Sequence, residues 1–427
     1  MKVAFYLENR AFRDLDCQNI LYCNPGIGGT QYMILVIAYM LSLRKNNIEI
    51  SLYTETDGLF PADLPYVVTG DFLNTTIKTT QDNIDFLVFR HNTSLITNGV
   101  LDQVRTKAKL IVWDHVFVCY WELDYYASNK NIFKIINVGR EMNDLYRDHP
   151  AFLKSCYIYN CVNTTGAEEL VKKHPFNKRG KIVTYIGSIV PFKGLHILAK
   201  AWPEVLKKEP TAQLYIIGSG KLYDQDNKMG KFGIAEETYE KQFMQFLSKD
   251  GKILDSVHFI GKIGKEKNDI LLKTKVGVPN PSGITETFCL SAVEMQLMGA
   301  VVTTIKAPGY LDTVKNGYLY KNTKSLANNI VKLLNSHNYK YSETLEYFNL
   351  NFSQNVVIEK WEELFLNGTI VYRDKLSNPT YRLKWLKELL RRLSTYLPII
   401  YKINPSVERI NLFIERLVKG RKTYIDS

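Results

Sequence analysis

GITETFCLSAVEMQLMG, residues Gly283–Gly299, is the stretch on which the reading of this chain turns. It carries two carboxylates, Glu286 and Glu294, eight positions apart. Glu286 ends a loop that begins Pro279-Asn280-Pro281-Ser282-Gly283, and Glu294 is expected about two turns into the apolar helix that follows. The first amides of a helix lack intrahelical acceptors, and the aligned peptide dipoles add partial positive charge, so such a terminus suits a phosphate. A carboxylate on each side of that anion site suits the hydroxyls of a sugar and of a ribose. The pattern asks for a nucleotide sugar. Acids at this spacing are common on solvated helix faces, so the flanking sequence has to carry the argument.

The flanks resemble the Glu-x7-Glu region of retaining glycosyltransferases of family 4, which have the GT-B fold. Phe288 and Leu290 stand where that family has Phe and Leu, Gly299 closes the helix, and Val301–Thr304 reads as the next strand. APGYLDTVKNGYLY (Ala307–Tyr320) is similar to the Gly-rich turn, acidic residue and Asn-Gly that follow in the family. The resemblance spans roughly residues 1–368. It is strongest over 181–320 and weak over 56–108, where acceptors are usually recognised. It implies that Glu286 approaches the donor sugar and Glu294 holds the ribose. Thr287 and Phe288 fall inside the motif and join the donor-binding candidates.

Composition is compatible with that expectation. A chain of 427 residues is long for one domain, so two are expected. An apolar content of 45% argues for a packed core and against disorder. The six cysteines show no paired zinc-ligand spacing, and Cys156 and Cys161 read as buried thiols. No secretory signal is visible in MKVAFYLENR, and the longest apolar run, Tyr32–Leu43, is too short to cross a bilayer. A reduced, cytoplasmic setting is the expectation. The net charge of +12 is concentrated at one end: residues 373–427 hold 13 Lys and Arg against 5 Asp and Glu. That excludes a nucleic-acid groove across the body as the origin of the charge.

Apolar runs bounded by polar turns alternate with helical patterns along both halves. In the first half the strand-like runs are Val3–Leu7, Ile48–Tyr53, Asp85–Arg90, Leu110–Trp113, Ile135–Val138 and Tyr157–Tyr159. In the second they are Lys181–Ile186, Gln213–Ile217, Val257–Ile260 and Val276–Val278, with helices over Leu195–Leu206 and Thr238–Leu247. The expected architecture is α/β: two Rossmann-like, doubly wound domains facing across a cleft, with a C-terminal helical extension. Residues 1–165 form an acceptor domain, 166–351 a nucleotide-sugar domain, 352–369 a helix crossing back, and 370–427 a basic helical extension. In that extension Leu383, Leu386, Leu390, Leu393 and Leu397 recur at helical spacing among Arg and Lys residues, a pattern suited to an anionic membrane surface.

YIGSIVPFKGLHIL (Tyr185–Leu198) resembles the family's strand, phosphate loop and helix. Lys193 matches the lysine that neutralises the donor diphosphate, whereas Ser188 stands where the family has Arg. A charge-assisted hydrogen bond contributes roughly 1.5–3 kcal/mol, so another cation has to compensate, and Lys262 is a candidate. The amides of Cys289 and Leu290 are placed for the β-phosphate. Gly28 and Gly29, in NPGIGGTQY, form the matching loop of the first domain. The resemblance implies that His115, after LIVWD, points at the reacting centre, and that Gly261, Lys262 and Ile263 meet the base through the backbone. Asp114 is expected to fix the His115 loop, and His91 is a weaker candidate for an acceptor contact. Cys289 lacks a His/Asp partner pattern and is not a nucleophile candidate.

The resemblance therefore implies a retaining, metal-independent glycosyltransferase of hexosyltransferase type. It would use a nucleotide sugar, with a UDP-sugar favoured, and need no cofactor. Its acceptor would be a saccharide or a lipid-linked saccharide in cell-surface polysaccharide synthesis. Two alternatives stay open: a glycosyltransferase-like binding or scaffold subunit with weak catalysis, as Ser188 suggests, and a GT-B nucleotide-sugar epimerase.

Overall fold

Val3, Ala4, Phe5, Tyr6 and Leu7 are all buried, as a strand covered by helices on both faces requires. They belong to β1 (Lys2–Leu7), the third strand of a seven-stranded parallel sheet. The structure, a computed structural model, describes residues 1–370 apart from 23, 148, 221–227 and 338. The basic extension expected beyond 370 lies outside the described residues.

The remaining strands of the first sheet are β2 (Glu49–Thr54), β3 (Tyr66–Val68), β4 (Phe86–Arg90), β5 (Lys109–Asp114), β6 (Ile132–Asn137) and β7 (Ser155–Tyr157). Their order is β3-β2-β1-β4-β5-β6-β7. Between them run α1 (Gly29–Ser42), α2 (Phe72–Gln81), α3 (Thr93–Thr97), α4 (Tyr120–Ser128) and α5 (Arg140–Asp144). The chain order reverses between β1 and β4, where Val3 pairs with both Ile50 and Phe86. In open parallel sheets ligands gather outside the carboxyl ends of strands at such a switch point.

The second sheet follows α6 (Ala167–Lys173). Its strands and the intervening hairpin are β8 (Ile182–Ile186), β9 (Gln213–Ile217), β10 (Ser248–Lys249), β11 (Lys252–Ile253), β12 (Val257–Gly261), β13 (Val276–Gly277), β14 (Val301–Ile305) and β15 (Gly317–Tyr320). The sheet order is β12-β9-β8-β13-β14-β15, with β10 and β11 paired separately. Its switch point falls between β8 and β13, so the loops after these strands, Gly187–Gly194 and Pro279–Phe288, lie where a ligand is expected. The helices are α7 (Leu195–Lys208), α8 (Glu237–Leu247), α9 (Lys267–Lys273), α10 (Leu290–Leu297), α11 (Pro308–Thr313), α12 (Leu326–Leu334), α13 (Tyr341–Asn351) and α14 (Gln354–Asn367).

Helix α14 returns to the first sheet. Trp361 is buried there, its ring 5.8 Å from Phe5 and 4.8 Å from Trp113. One apolar core fills the first half and runs on through Phe288, Val293 and Met295 to Phe348. A second core forms around Trp202, Tyr185 and Phe243. Two edge strands, β3 and β15, were not expected from the sequence. Both are short and partly exposed, so neither shows a buried apolar run. Among the described residues no helix is long and apolar enough to cross a membrane.

Candidate functional site

The loop after β13 is held in an unusual shape by its own polar groups. Asn280 (φ +20) and Thr285 (φ +57) both have positive φ, which non-glycine residues rarely adopt. Asn280 Nδ2 donates to the Ile284 carbonyl at 3.2 Å and to Glu286 Oε2 at 2.7 Å. Ser282 Oγ bonds Asn280 Oδ1 and donates to the Phe192 carbonyl, which ties this loop to the one after β8. Lys193 Nζ then lies 3.3 Å from the same Glu286 Oε2. Backbone from α11 seals the far side: Gly309 N donates to the Glu286 carbonyl at 3.1 Å. A Cβ on Gly309 would stand 2.6 Å from the Thr287 carbonyl carbon, a separation that only glycine permits. Glu286, 6% exposed, is thus fixed at the protein's expense rather than by a ligand.

Helix α10 begins at Leu290 with Cys289 as its N-cap. The buried Cys289 thiol is pushed up to about 12, by burial first and then by the Glu286 charge. It stays protonated, and its contribution to the site is its backbone. Glu294 is the fifth residue of α10, so it sits about one turn into the helix and not two, because the helix starts later than the apolar run suggests. Its Oε1 accepts from Lys267 Nζ of α9 at 2.6 Å.

The first half brings a second helix terminus to the same place. Gly28 caps α1, and an added Cβ at Gly29 would lie 3.9 Å from Leu290 Cδ1. The amino ends of α1 and α10 therefore approach across the cleft. The loop before α1 is organised by Asn24, whose Oδ1 accepts from the amides of Gly26 and Ile27 at 2.8 Å each. On the opposite side Lys262 and Ile263 follow Gly261, the last residue of β12. The Lys262 side chain crosses to Gly26, with Cε 1.8 Å from where a Cβ would be. Gly26 has φ +97, a conformation that favours glycine, and a side chain there would displace the Lys262 stem.

His115 follows β5, and its carbonyl accepts from Thr287 Oγ1 at 2.7 Å. That bond couples the first half to the Glu286 loop. The ring leans on Trp113, with centroids 4.6 Å apart, and Nε2 is buried without a hydrogen-bond partner among the described residues. Burial and then the Arg90 charge push the imidazole down to about 3, so it is neutral at pH 7. Asp114 moves the other way: burial raises it to about 7, with His91 opposing and Glu122 assisting. Among the described residues neither Asp114 carboxylate oxygen has a hydrogen-bond partner, so Asp114 does not fix the His115 loop by a hydrogen bond to any of them.

Four of the expected site residues have side chains that are buried or already engaged within the protein. His91 is 6% exposed, its Nδ1 pairs with Tyr126 OH at 2.6 Å and its Nε2 faces Glu122 at 3.5 Å. Both nitrogens are engaged inside the fold, so the ring is not offered to an acceptor. Phe288 packs edge-on against Phe352 at 5.0 Å and near Tyr159 at 5.9 Å, a core position that leaves only its backbone for a ligand. The Thr287 hydroxyl is occupied by His115. Ser188 is buried in the loop after β8 and places no cation there.

Several residues of this region escaped the sequence reading. Lys267 and Asn280 fix the two motif carboxylates, but one comes from the start of α9 and the other from the loop after β13, and neither leaves a periodic trace. Glu8, just after β1, and Arg90, the last residue of β4, form an ion pair at the first switch point, with Asn92 Nδ2 adding a bond to Glu8 at 3.0 Å. Asp312 of α11 accepts from Glu141 N at 3.0 Å and from Tyr159 OH at 3.1 Å, bridging the halves behind the cleft.

Residues 166–349 match the family model described as glycosyl transferases group 1. No curated protein matches the chain in sequence. Among solved structures it is similar to Anabaena HepE in complex with UDP, at 17% identity and TM-score 0.61, over 86% of this chain and 100% of that one. It is also similar to sucrose-phosphate synthase from Thermosynechococcus elongatus, at 14% identity and TM-score 0.60, over 86% and 98% of the two chains. An S. aureus TarM variant in complex with fondaparinux, alpha-GlcNAc-glycerol and UDP aligns at 19% identity and TM-score 0.53, over 68% and 58%. The chain has the GT-B fold: two parallel-sheet α/β units with their switch points turned to a shared cleft.

Proposed function

We propose that this protein transfers a sugar from a nucleoside diphosphate sugar, a UDP-sugar being favoured, to a saccharide or lipid-linked saccharide acceptor with retention of anomeric configuration. The observation that carries the proposal is the meeting of Lys193, Glu286 and the amino end of α10 with the amino end of α1 across the cleft. The group 1 match over the second half supports it, and two of the similar structures are complexes with UDP.

In this reading the donor diphosphate lies at the start of α10. Its charge grows as the glycosidic bond breaks, and Lys193 with the amides of Cys289 and Leu290 stabilises it electrostatically. Glu286 is held by Asn280 and Lys193 so that its carboxylate orients the donor sugar. Glu294 turns from Lys267 towards the ribose hydroxyls. Neutral His115, its Nε2 without a partner, offers a polar atom to the sugar without adding charge at the reacting centre. Attack from the leaving-group face retains the configuration and needs no enzymic nucleophile.

The basic extension is assigned to an anionic membrane face, where each nearby Lys or Arg contributes roughly 1 kcal/mol. A peripheral enzyme of cell-surface polysaccharide synthesis would meet a lipid-linked acceptor there. The test of the function is acceptor-dependent release of nucleoside diphosphate from a panel of nucleotide sugars, with the anomeric configuration of the product read by NMR. Release without any acceptor requirement, or an inverted product, would contradict the proposal.

A further inference from the structure

The cations around the cleft differ in one respect. Lys193 lies against Glu286, Lys267 against Glu294, and Arg90 against Glu8. Lys262 has no ion-pair partner among the described residues and is exposed. It stands just beyond the carboxyl end of β12, and its stem crosses from the second half to lie on Gly26 of the first. An idealised Cβ at Gly26 would fall 1.8 Å from Lys262 Cε and 2.8 Å from Nζ. The Gly26 amide is held by Asn24 in the loop that leads to the amino end of α1. That end faces α10 at Leu290. Among the described residues this ammonium has no acid to neutralise, and it borders the space between two helix termini that favour anions.

We propose that Lys262 is the second cation of the nucleotide site, reaching across the cleft to the diphosphate, and that it makes the site select nucleoside diphosphates over monophosphates. This rests on the donor reading of the same cleft. Lys193 already shares a carboxylate, so it brings less net positive charge to a ligand than its number suggests. Lys262 brings a whole charge, and it brings it from the opposite side. Gly26 belongs to the same device: a side chain there would displace the lysine stem.

The test is calorimetric titration of the full-length protein with UDP and UMP, or with the matching pair for whichever of GDP, ADP and dTDP binds. Lys262→Met should weaken diphosphate binding roughly tenfold to a hundredfold, the loss expected for one charge-assisted contact. Monophosphate binding should change far less, and Lys262→Arg should recover most of the loss. Gly26→Ala should mimic Lys262→Met, and the two changes together should cost little more than either, because they act on one contact. Lys249→Met, on the hairpin, serves as a surface control. Unchanged diphosphate affinity in Lys262→Met, with wild-type binding intact, overturns the role of the lysine alone. Equal loss of UDP and UMP binding also overturns it. If the wild type binds no nucleoside diphosphate, the donor reading fails and takes this proposal with it.

Discussion

Lys193 Nζ stands 3.3 Å from Glu286 Oε2, and the same oxygen accepts a 2.7 Å bond from Asn280. The lysine and the carboxylate are 93 positions apart in the chain. They meet because the loops after β8 and β13 leave one switch point side by side. A carboxylate held by two donors within the protein is oriented before any substrate arrives, and such preorganisation is what transition-state stabilisation needs. Glu286→Gln keeps the shape and removes the charge. Turnover is expected to fall by about a hundredfold or more, with nucleotide affinity changing much less. Steady-state kinetics beside calorimetric titration checks this split.

Glu294 has a different partner and a different expected signature. Its Oε1 is 2.6 Å from Lys267 Nζ. Glu294→Gln should weaken nucleotide binding by about tenfold, the value of one charged acceptor, while bound substrate reacts at a rate close to wild type. Lys267→Met should have a smaller effect, since it frees Glu294 without removing it. A loss of turnover at saturating donor in Glu294→Gln would place this residue at the reacting centre instead.

Two neighbours at the end of β5 respond to pH in opposite senses. The Asp114 carboxyl is raised from 3.8 to about 7 by burial, so the fold holds its proton more tightly than the unfolded chain does. Its contribution to stability is full below 3.8 and is lost as pH rises through about 7. Asp114→Asn should therefore raise the melting temperature more in mildly alkaline buffer than in acid. The His115 imidazole is lowered from 6.5 to about 3. Its neutral form favours the fold above 6.5, and that contribution is lost as pH falls towards 3. His115→Gln should flatten the acid limb of the stability curve. Thermal melts across the pH range measure both slopes.

The extension offers a prediction that does not depend on the cleft. Full-length protein should sediment with anionic vesicles and lose binding as salt rises past a few hundred millimolar, because screening shortens the reach of each charge to about 3–8 Å. Removal of residues 373–427 should abolish most of the binding. Equal sedimentation of truncated and intact protein would rule the extension out as an anchor.

The parallel strands were legible because both faces of each are buried. Val3–Leu7 and Gln213–Ile217 read as short apolar runs, and the structure places strands within a residue or two of them. Strands β3 and β15 carry exposed side chains and were missed. At the site, Glu286 and Lys193 were legible because each sits in a loop of recognisable pattern after a strand. The contacts that set their geometry were not. Asn280 reaches Glu286 only because its backbone takes a positive φ, and Lys267 reaches Glu294 from another helix. Sequence adjacency misled at Phe288, which follows the motif acid but points into the core beside Phe352. It misled at His91 as well, where a strand end near the switch point turns its side chain inward to Tyr126.

The central claim is that this cleft binds a nucleoside diphosphate sugar. The most direct measurement is thermal stabilisation of the full-length protein by UDP-, GDP-, ADP- and dTDP-sugars without acceptor. Ligand at about 100 times its dissociation constant stabilises a protein by about 2.7 kcal/mol, a rise on the order of 3 °C for a chain of this size. The account predicts such a rise with at least one donor, UDP-linked by preference, and a much smaller one in Glu294→Gln at the same concentration. No stabilisation by any nucleotide sugar, in protein that melts cooperatively, would contradict it.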